Sequence, residues 1–156
     1  MKPLQVWLDE YGESHQNKIN KKIHWICVPA IMFSIFGILL SIPHNYLPVI
    51  SNIKLNWALI TLALTLFYYF KLSKVMALGM FVVGVIILWG NHLIEQNYQR
   101  PLWIFSVIIF VIAWIGQFIG HKIEGKKPSF IKDLQFLLIG PAWLLSFIYK
   151  KFGIKY

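Results

Sequence analysis

The stretch Pro101-Leu-Trp-Ile-Phe-Ser-Val-Ile-Ile-Phe-Val-Ile-Ala-Trp114-Ile-Gly-Gln117-Phe-Ile-Gly-His121-Lys-Ile-Glu124 decides the fold. Between Pro101 and Gly120 its side chains are apolar apart from Ser106 and Gln117. That is the length of one helix through a hydrocarbon core about 30 Å thick, which takes ~20 residues, whereas a barrel strand would alternate over ~10. The whole chain repeats this character: 156 residues, 58% hydrophobic and 13% charged, leave too few polar side chains to cover a soluble surface. The expected class is all-α, a single integral membrane domain.

Working outward, apolar segments occur near 23–42, 55–70, 75–94, 101–120 and 134–149. The second is short, and Gly140-Pro141 interrupts the fifth, which leaves the count at four or five spans and the fifth open between a span, a re-entrant piece and a half-inserted one. Residues 1–22 hold no apolar core long enough for a cleavable signal peptide. Instead Leu4, Trp7, Leu8 and Tyr11 recur at helical spacing, with Asp9, Glu10 and Glu13 largely on the other side, so a short amphipathic helix on the membrane surface is expected. Its apolar stripe, continued by four residues, reaches His15 and turns it toward the bundle.

Alternation of spans assigns sides. Residues before 23, the 71–74 connection and the 121–133 connection share one side, while 43–54 and 95–100 share the other. Ten lysines (2, 18, 21, 22, 71, 74, 122, 126, 127, 132) fall on the first side, against Lys54 and Arg100 on the second. The first side is therefore expected to be cytoplasmic, at the inner membrane of a bacterium or the endoplasmic reticulum of a eukaryote. The net charge of +9 is scattered over these connections, which suits anionic lipid headgroups and argues against a nucleic-acid partner. The lone Cys27, inside an apolar run, reads as a small core residue and excludes a disulfide within the chain or a cysteine metal cluster.

His15, His24, His121 and Glu124 all fall on the cytoplasmic side by this parity. His44, His92 and Glu95 fall opposite, and the two histidines read as interfacial polar residues. Asn17, Asn20 and His24 share one helix face, as do Trp114, Gln117, His121 and Glu124. His15 and His24 are nine apart, about half a turn out of phase on one helix, so a break within 12–20 is required if both hold one metal. Three imidazoles with a carboxylate and no thiolate suit a first-row transition metal, with iron and zinc both admissible. Asn17, Asn20 and Gln117 are candidates for orienting ring N–H groups or holding a substrate carboxylate. Trp25, Trp57, Trp103 and Tyr149 are expected at the membrane interfaces, and Gly79, Gly84 and Gly120 where helices approach closely. There is no phosphate-cradling glycine loop, GxSxG elbow or HExxH pair.

Tyr11, His15, Asn17, Asn20, His24 and Pro29, followed by Trp114, Gln117-Phe-Ile-Gly-His121, Glu124 and Pro128, resemble the membrane 2-hydroxy fatty acid dioxygenase family, typified by a fungal endoplasmic-reticulum enzyme of phytosphingosine-derived chain degradation. The resemblance covers roughly 11–30 and 114–141. It implies an Fe(II)-dependent alpha-oxidation in which a 2-hydroxy fatty acid and O₂ give a fatty acid one carbon shorter. It also implies His15, His24 and His121 as iron ligands, with Glu124 as a further ligand or a support for them. Two other classes compete: another metal-dependent lipid oxidase or hydroxylase, and a lipid-binding or transport protein without catalysis. Two-iron desaturases and hydroxylases carry HxxxH and HxxHH boxes, which this chain lacks; a transporter would be expected to place polar residues deep within its spans rather than at their ends.

Overall fold

The structure, a computed structural model, describes residues 2–50, 53–125 and 130–156. Six helices run in the order α1 (Leu4–Glu13), α2 (Lys18–Ser41), α3 (Trp57–Leu72), α4 (Lys74–Asn97), α5 (Leu102–Glu124) and α6 (Phe130–Lys151). A two-residue antiparallel ladder, β1 (Val49–Ile50) with β2 (Ile53–Lys54), closes the connection from α2 to α3. Pro128 and the lysines at 126 and 127, part of the expected cytoplasmic connection, lie outside the described residues.

Helices α2, α4 and α5 are long and apolar enough to cross a membrane, and α3 is a shorter apolar helix. Their outer faces carry large apolar side chains such as Leu64, Ile86 and Ile112, where a water-soluble protein would place charge. The molecule is an all-α membrane bundle.

Local sequence fixes the helix ends. The Asn17 side chain accepts from the backbone N–H groups of Ile19 and Asn20, at 2.8 and 3.4 Å. This cap starts α2 at Lys18, five residues before the apolar run that announced it. Asn56 caps α3 in the same way, through Leu59 N–H at 2.9 Å. Ser73 alone separates α3 from α4 and caps the latter at Met76 N–H, 3.1 Å away, which makes these two neighbours an antiparallel hairpin. Gly125, with φ of 74°, ends α5 in the left-handed conformation that glycine takes without strain.

Small residues let the helices meet. A Cβ at Gly116 would come within 2.6 Å of Cys27 Sγ, and one at Gly120 would collide with Asn20, so α2 and α5 approach closely along the half that carries the histidines. A Cβ at Gly84 would strike Leu62 at 2.6 Å, fixing the α3–α4 approach. Cys27 is a buried core residue, as expected.

Helix α6 packs against α1 and the neighbouring ends of α3 and α4. Phe136 packs edge-on against Trp7 and Tyr11 of α1, and the Tyr69 hydroxyl donates to the Leu138 carbonyl. Further along, Trp143 packs on Tyr11 and His15, and the Tyr149 hydroxyl donates to the Val75 carbonyl at 2.8 Å. These partners sit in α1, the last turn of α3 and the first turn of α4, all at one end of the bundle. From Phe136 to Tyr149, helix α6 therefore lies against that end, and it holds α1 against the bundle. Pro141 is accommodated within a continuous helix. Tyr149, expected as an interface anchor, is buried instead, because Gly79 opens room for its ring between α6 and α4.

Candidate metal centre

Chain geometry brings three imidazoles to the end of the bundle that α1 and α6 cover. Helix α1 stops at Glu13, and Ser14 to Asn17 form the break that the nine-residue spacing of His15 and His24 required. His15 follows the last turn of α1 and returns to it: its Nδ1 lies 2.6 Å from the Tyr11 carbonyl, and its ring stacks on Tyr11 at 4.2 Å with the planes 11° apart. That carbonyl is one of the acceptors a helix C-terminus leaves over. His24, one turn and a half into α2, repeats the arrangement, with Nδ1 3.0 Å from the Asn20 carbonyl. A carbonyl can only accept, so Nδ1 carries the hydrogen in both rings and the lone pair is on Nε2.

His121 completes the group from α5. Ring centroids lie 4.2 Å apart for His15 and His24, 5.4 Å for His15 and His121, and 5.1 Å for His24 and His121. One nitrogen from each falls within 4.8 Å of the others. His15 and His24 are almost wholly buried, at 2% and 1% exposure. The neutral imidazole, with one ring nitrogen unprotonated, is the form that binds a metal.

Glu124 does not join them. Its carboxylate accepts from Gln16 N–H at 2.7 Å, from Asn17 N–H at 2.9 Å and from Asn20 Nδ2 at 2.9 Å. A carboxylate at the N-terminus of a helix meets unsatisfied N–H groups and the positive end of the helix dipole. Glu124 thus clasps the end of α5 to the start of α2, at the chain break that delivers His15. Asn17 supplies the cap of α2, and Asn20 supports Glu124 while donating to the Ser14 carbonyl at 3.3 Å. His44 and His92 are at the opposite end: His44 contacts the Ile42 carbonyl at 3.1 Å, and His92 is exposed near the close of α4.

The three histidines line a cavity of about 1010 Å³. Its lining includes the charged Lys2, Glu10 and Glu13, and along α2 and α3 it includes Val28, Ile31, Ile35, Phe36, Thr61 and Thr65. Two further polar residues of α5 face it. Gln117 is 7% exposed, and neither its Oε1 nor the buried Nε1 of Trp114 has a hydrogen-bond partner among the described residues. Trp143 and Tyr11, which wall His15, add apolar surface on the side of α1 and α6. Tyr11 was on the stripe read from the sequence, but nothing in the local pattern pointed to Trp143, whose place depends on how α6 folds back.

A family model described as 2-hydroxy-palmitic acid dioxygenase Mpo1-like matches residues 1–152. The chain is 27% identical over 151 residues to the 2-hydroxy-palmitic acid dioxygenase MPO1 of Saccharomyces cerevisiae, covering 94% of this chain and 80% of that protein. No solved structure gives a significant match.

Proposed function

Because the chain belongs to the Mpo1-like family, we propose that it is a membrane dioxygenase that shortens 2-hydroxy fatty acids by one carbon with Fe(II) held by His15, His24 and His121. The observation that carries this reading is the meeting of three imidazoles in the wall of a cavity whose lining continues along apolar residues of α2. The donor set fits the metal: three nitrogen ligands and no thiolate suit iron, and a three-residue set leaves positions for substrate and O₂. Iron(II) bound there would supply a Lewis acid for the carboxylate and 2-hydroxyl and electrons for O₂.

The reaction balances as R–CH(OH)–COOH plus O₂ giving R–COOH, CO₂ and H₂O. The bond between C1 and C2 breaks, both carbons are oxidised and O₂ takes up the four electrons. No oxo-acid cosubstrate is needed, since the hydroxy acid is itself the reductant.

The protein's share is placement. From His24 to Phe36 the wall of α2 descends twelve residues, about 18 Å at ~1.5 Å per residue. An extended alkyl chain advances roughly 1.3 Å per carbon, the projection of a ~1.52 Å bond, so a tail of about 14 carbons fits along this wall. The tail lies among Val28, Ile31, Ile35 and Phe36 while the polar head stays by the histidines. Glu124 acts on the site by holding the break that carries His15, and Tyr11 and Trp143 keep water from its ring. Lys150, Lys151 and Lys155 follow α6 to the same end of the bundle as Lys18, Lys21, Lys22, Lys71, Lys74 and Lys122, and this supports a cytoplasmic placement of the site.

The test is purification without oxygen, metal analysis, and then addition of Fe(II), O₂ and 2-hydroxypalmitate with mass spectrometry of the product. The expected product is the fifteen-carbon acid, formed at the expense of O₂ and without 2-oxoglutarate, with palmitate shortened poorly. Equal shortening of palmitate, or activity that survives complete removal of iron, would reject the reading.

A further inference from the structure

Trp114 and Gln117 stand one turn apart on the inward face of α5, and both line the cavity beyond His121. Trp114 offers a buried N–H donor and Gln117 a buried carbonyl acceptor, each without a partner among the described residues. Unpaired polar atoms are costly in an apolar bundle, and here a donor and an acceptor of opposite need face the same space. Their side chains, three residues apart on a helix, are neighbours at about 5–6 Å between Cβ atoms. One small group satisfies both: a hydroxyl accepts from the indole and donates to the amide. A carboxylate can only accept, and a methylene does neither.

We propose that Trp114 and Gln117 are the residues that read the 2-hydroxyl of the substrate, an inference that rests on the dioxygenase reading above. An alcohol oxygen has two lone pairs and one hydrogen. In this arrangement Trp114 N–H takes one lone pair, Gln117 Oε1 takes the hydrogen, and the second lone pair would remain for a metal held by the histidines. A fatty acid without the hydroxyl leaves both protein groups unpaired, and a site built to hydrogen-bond a hydroxyl rejects the analogue lacking it far more strongly than an apolar pocket rejects a missing methylene.

The experiment measures equilibrium binding to the full-length protein in detergent under argon, where no ligand turns over. The ligands are 2-hydroxypalmitate, 2-methoxypalmitate and palmitate, and the proteins are wild type, Gln117→Leu and Trp114→Phe, each with its metal content determined. Wild type is expected to prefer the hydroxy acid over the methoxy acid and over palmitate by about tenfold or more. Gln117→Leu is expected to bring the hydroxy and methoxy acids to within about twofold of each other, with metal content and palmitate affinity held. Trp114→Phe keeps the hydroxy-over-methoxy ratio and weakens both ligands relative to palmitate. Loss of all three ligands in parallel in both variants means a packing role and overturns the proposal. Unchanged preference in both variants overturns it as well, while leaving the dioxygenase reading intact. A wild-type protein that binds palmitate and 2-hydroxypalmitate equally overturns this inference, while the dioxygenase reading stands or falls separately on the product analysis above. If Gln117→Leu fails to fold, the hydroxy-against-palmitate ratio of Trp114→Phe decides the question alone.

Discussion

The two ends of this bundle bury polar side chains for different ends. Away from the histidines, Asn91 Nδ2 donates to the carbonyls of Phe33 and Ile87 at 3.2 and 3.0 Å, and Ser106 donates to Leu102 at 3.0 Å. Both press on the bare backbone of Gly37, where a Cβ would collide with either. These hydrogen bonds close on helix backbone, and Asn91 Oδ1, which has no hydrogen-bond partner among the described residues, lies against Gly37 and outside the cavity lining. At the other end His15, His24 and His121 come from three separate elements, turn one ring nitrogen of His15 and His24 to a helix carbonyl, and face a cavity with the rest. Burial of polarity in a membrane is thus not by itself a mark of chemistry. Convergence from several elements onto open volume is the mark.

The sharpest way to break this contrast is to remove a ring at each end. His24→Ala and His121→Ala are expected to abolish turnover and strip bound iron while the protein stays in the membrane. The loss should exceed the ~10–100-fold typical of groups that merely support a ligand. His44→Ala and His92→Ala should keep both activity and iron; if His44→Ala proved as damaging as His121→Ala, the division between the two ends would be wrong.

A smaller effect is expected at Glu124. Glu124→Gln keeps the shape of the side chain but weakens its hold on the N–H groups of Gln16 and Asn17, so His15 is delivered less firmly. Activity should fall by about 10–100-fold, with iron bound more weakly yet still present. Titration of the purified variant with Fe(II) distinguishes this from direct ligation, in which stoichiometric binding would be lost.

The mildest change belongs to the far end. Asn91→Leu removes two hydrogen bonds to backbone that other helices can cover, and interhelical hydrogen bonds in membranes average ~0.6 kcal/mol and reach ~1.7. Stability in detergent should drop by about that much, read from thermal or denaturant unfolding, with kcat unaltered. A fall in kcat larger than the fall in stability would show that the two ends are coupled.

Most of the near end was legible in the chain. A metal shared by His15 and His24 required a break between them, and parity of the spans put His121 on their side of the membrane, because each conclusion uses only local periodicity and alternation. Glu124 was placed on the right face of α5, but its partners lie more than a hundred residues away at the start of α2, and no local pattern encodes that pairing. Helix α6 was illegible for another reason. A helix packed between α1 and the ends of α3 and α4 needs the same apolar composition as one crossing lipid, so hydropathy cannot separate them, and Tyr149 and Trp143 follow α6 wherever it goes. Gln117 stood out as a polar residue within a span, whereas the indole N–H of Trp114 became informative only once its surroundings were known.

His15 is carried by a segment outside the spanning helices, joined to them through α6 and the Glu124 clasp. A ligand from such a segment makes occupancy of the centre and docking of α1 a single linked equilibrium. An ion that binds only the docked form stabilises it by RT ln(1 + [L]/Kd), which at a hundredfold excess over Kd is about 2.7 kcal/mol. If the centre holds an ion as proposed, a chelator is expected to loosen the docking of α1 as well as to stop the chemistry. Under the proposed reading the segment from Pro3 to Asn17 is a latch whose bolt would be the ion, and removing the ion is expected to raise protease cleavage between Gly12 and Asn17.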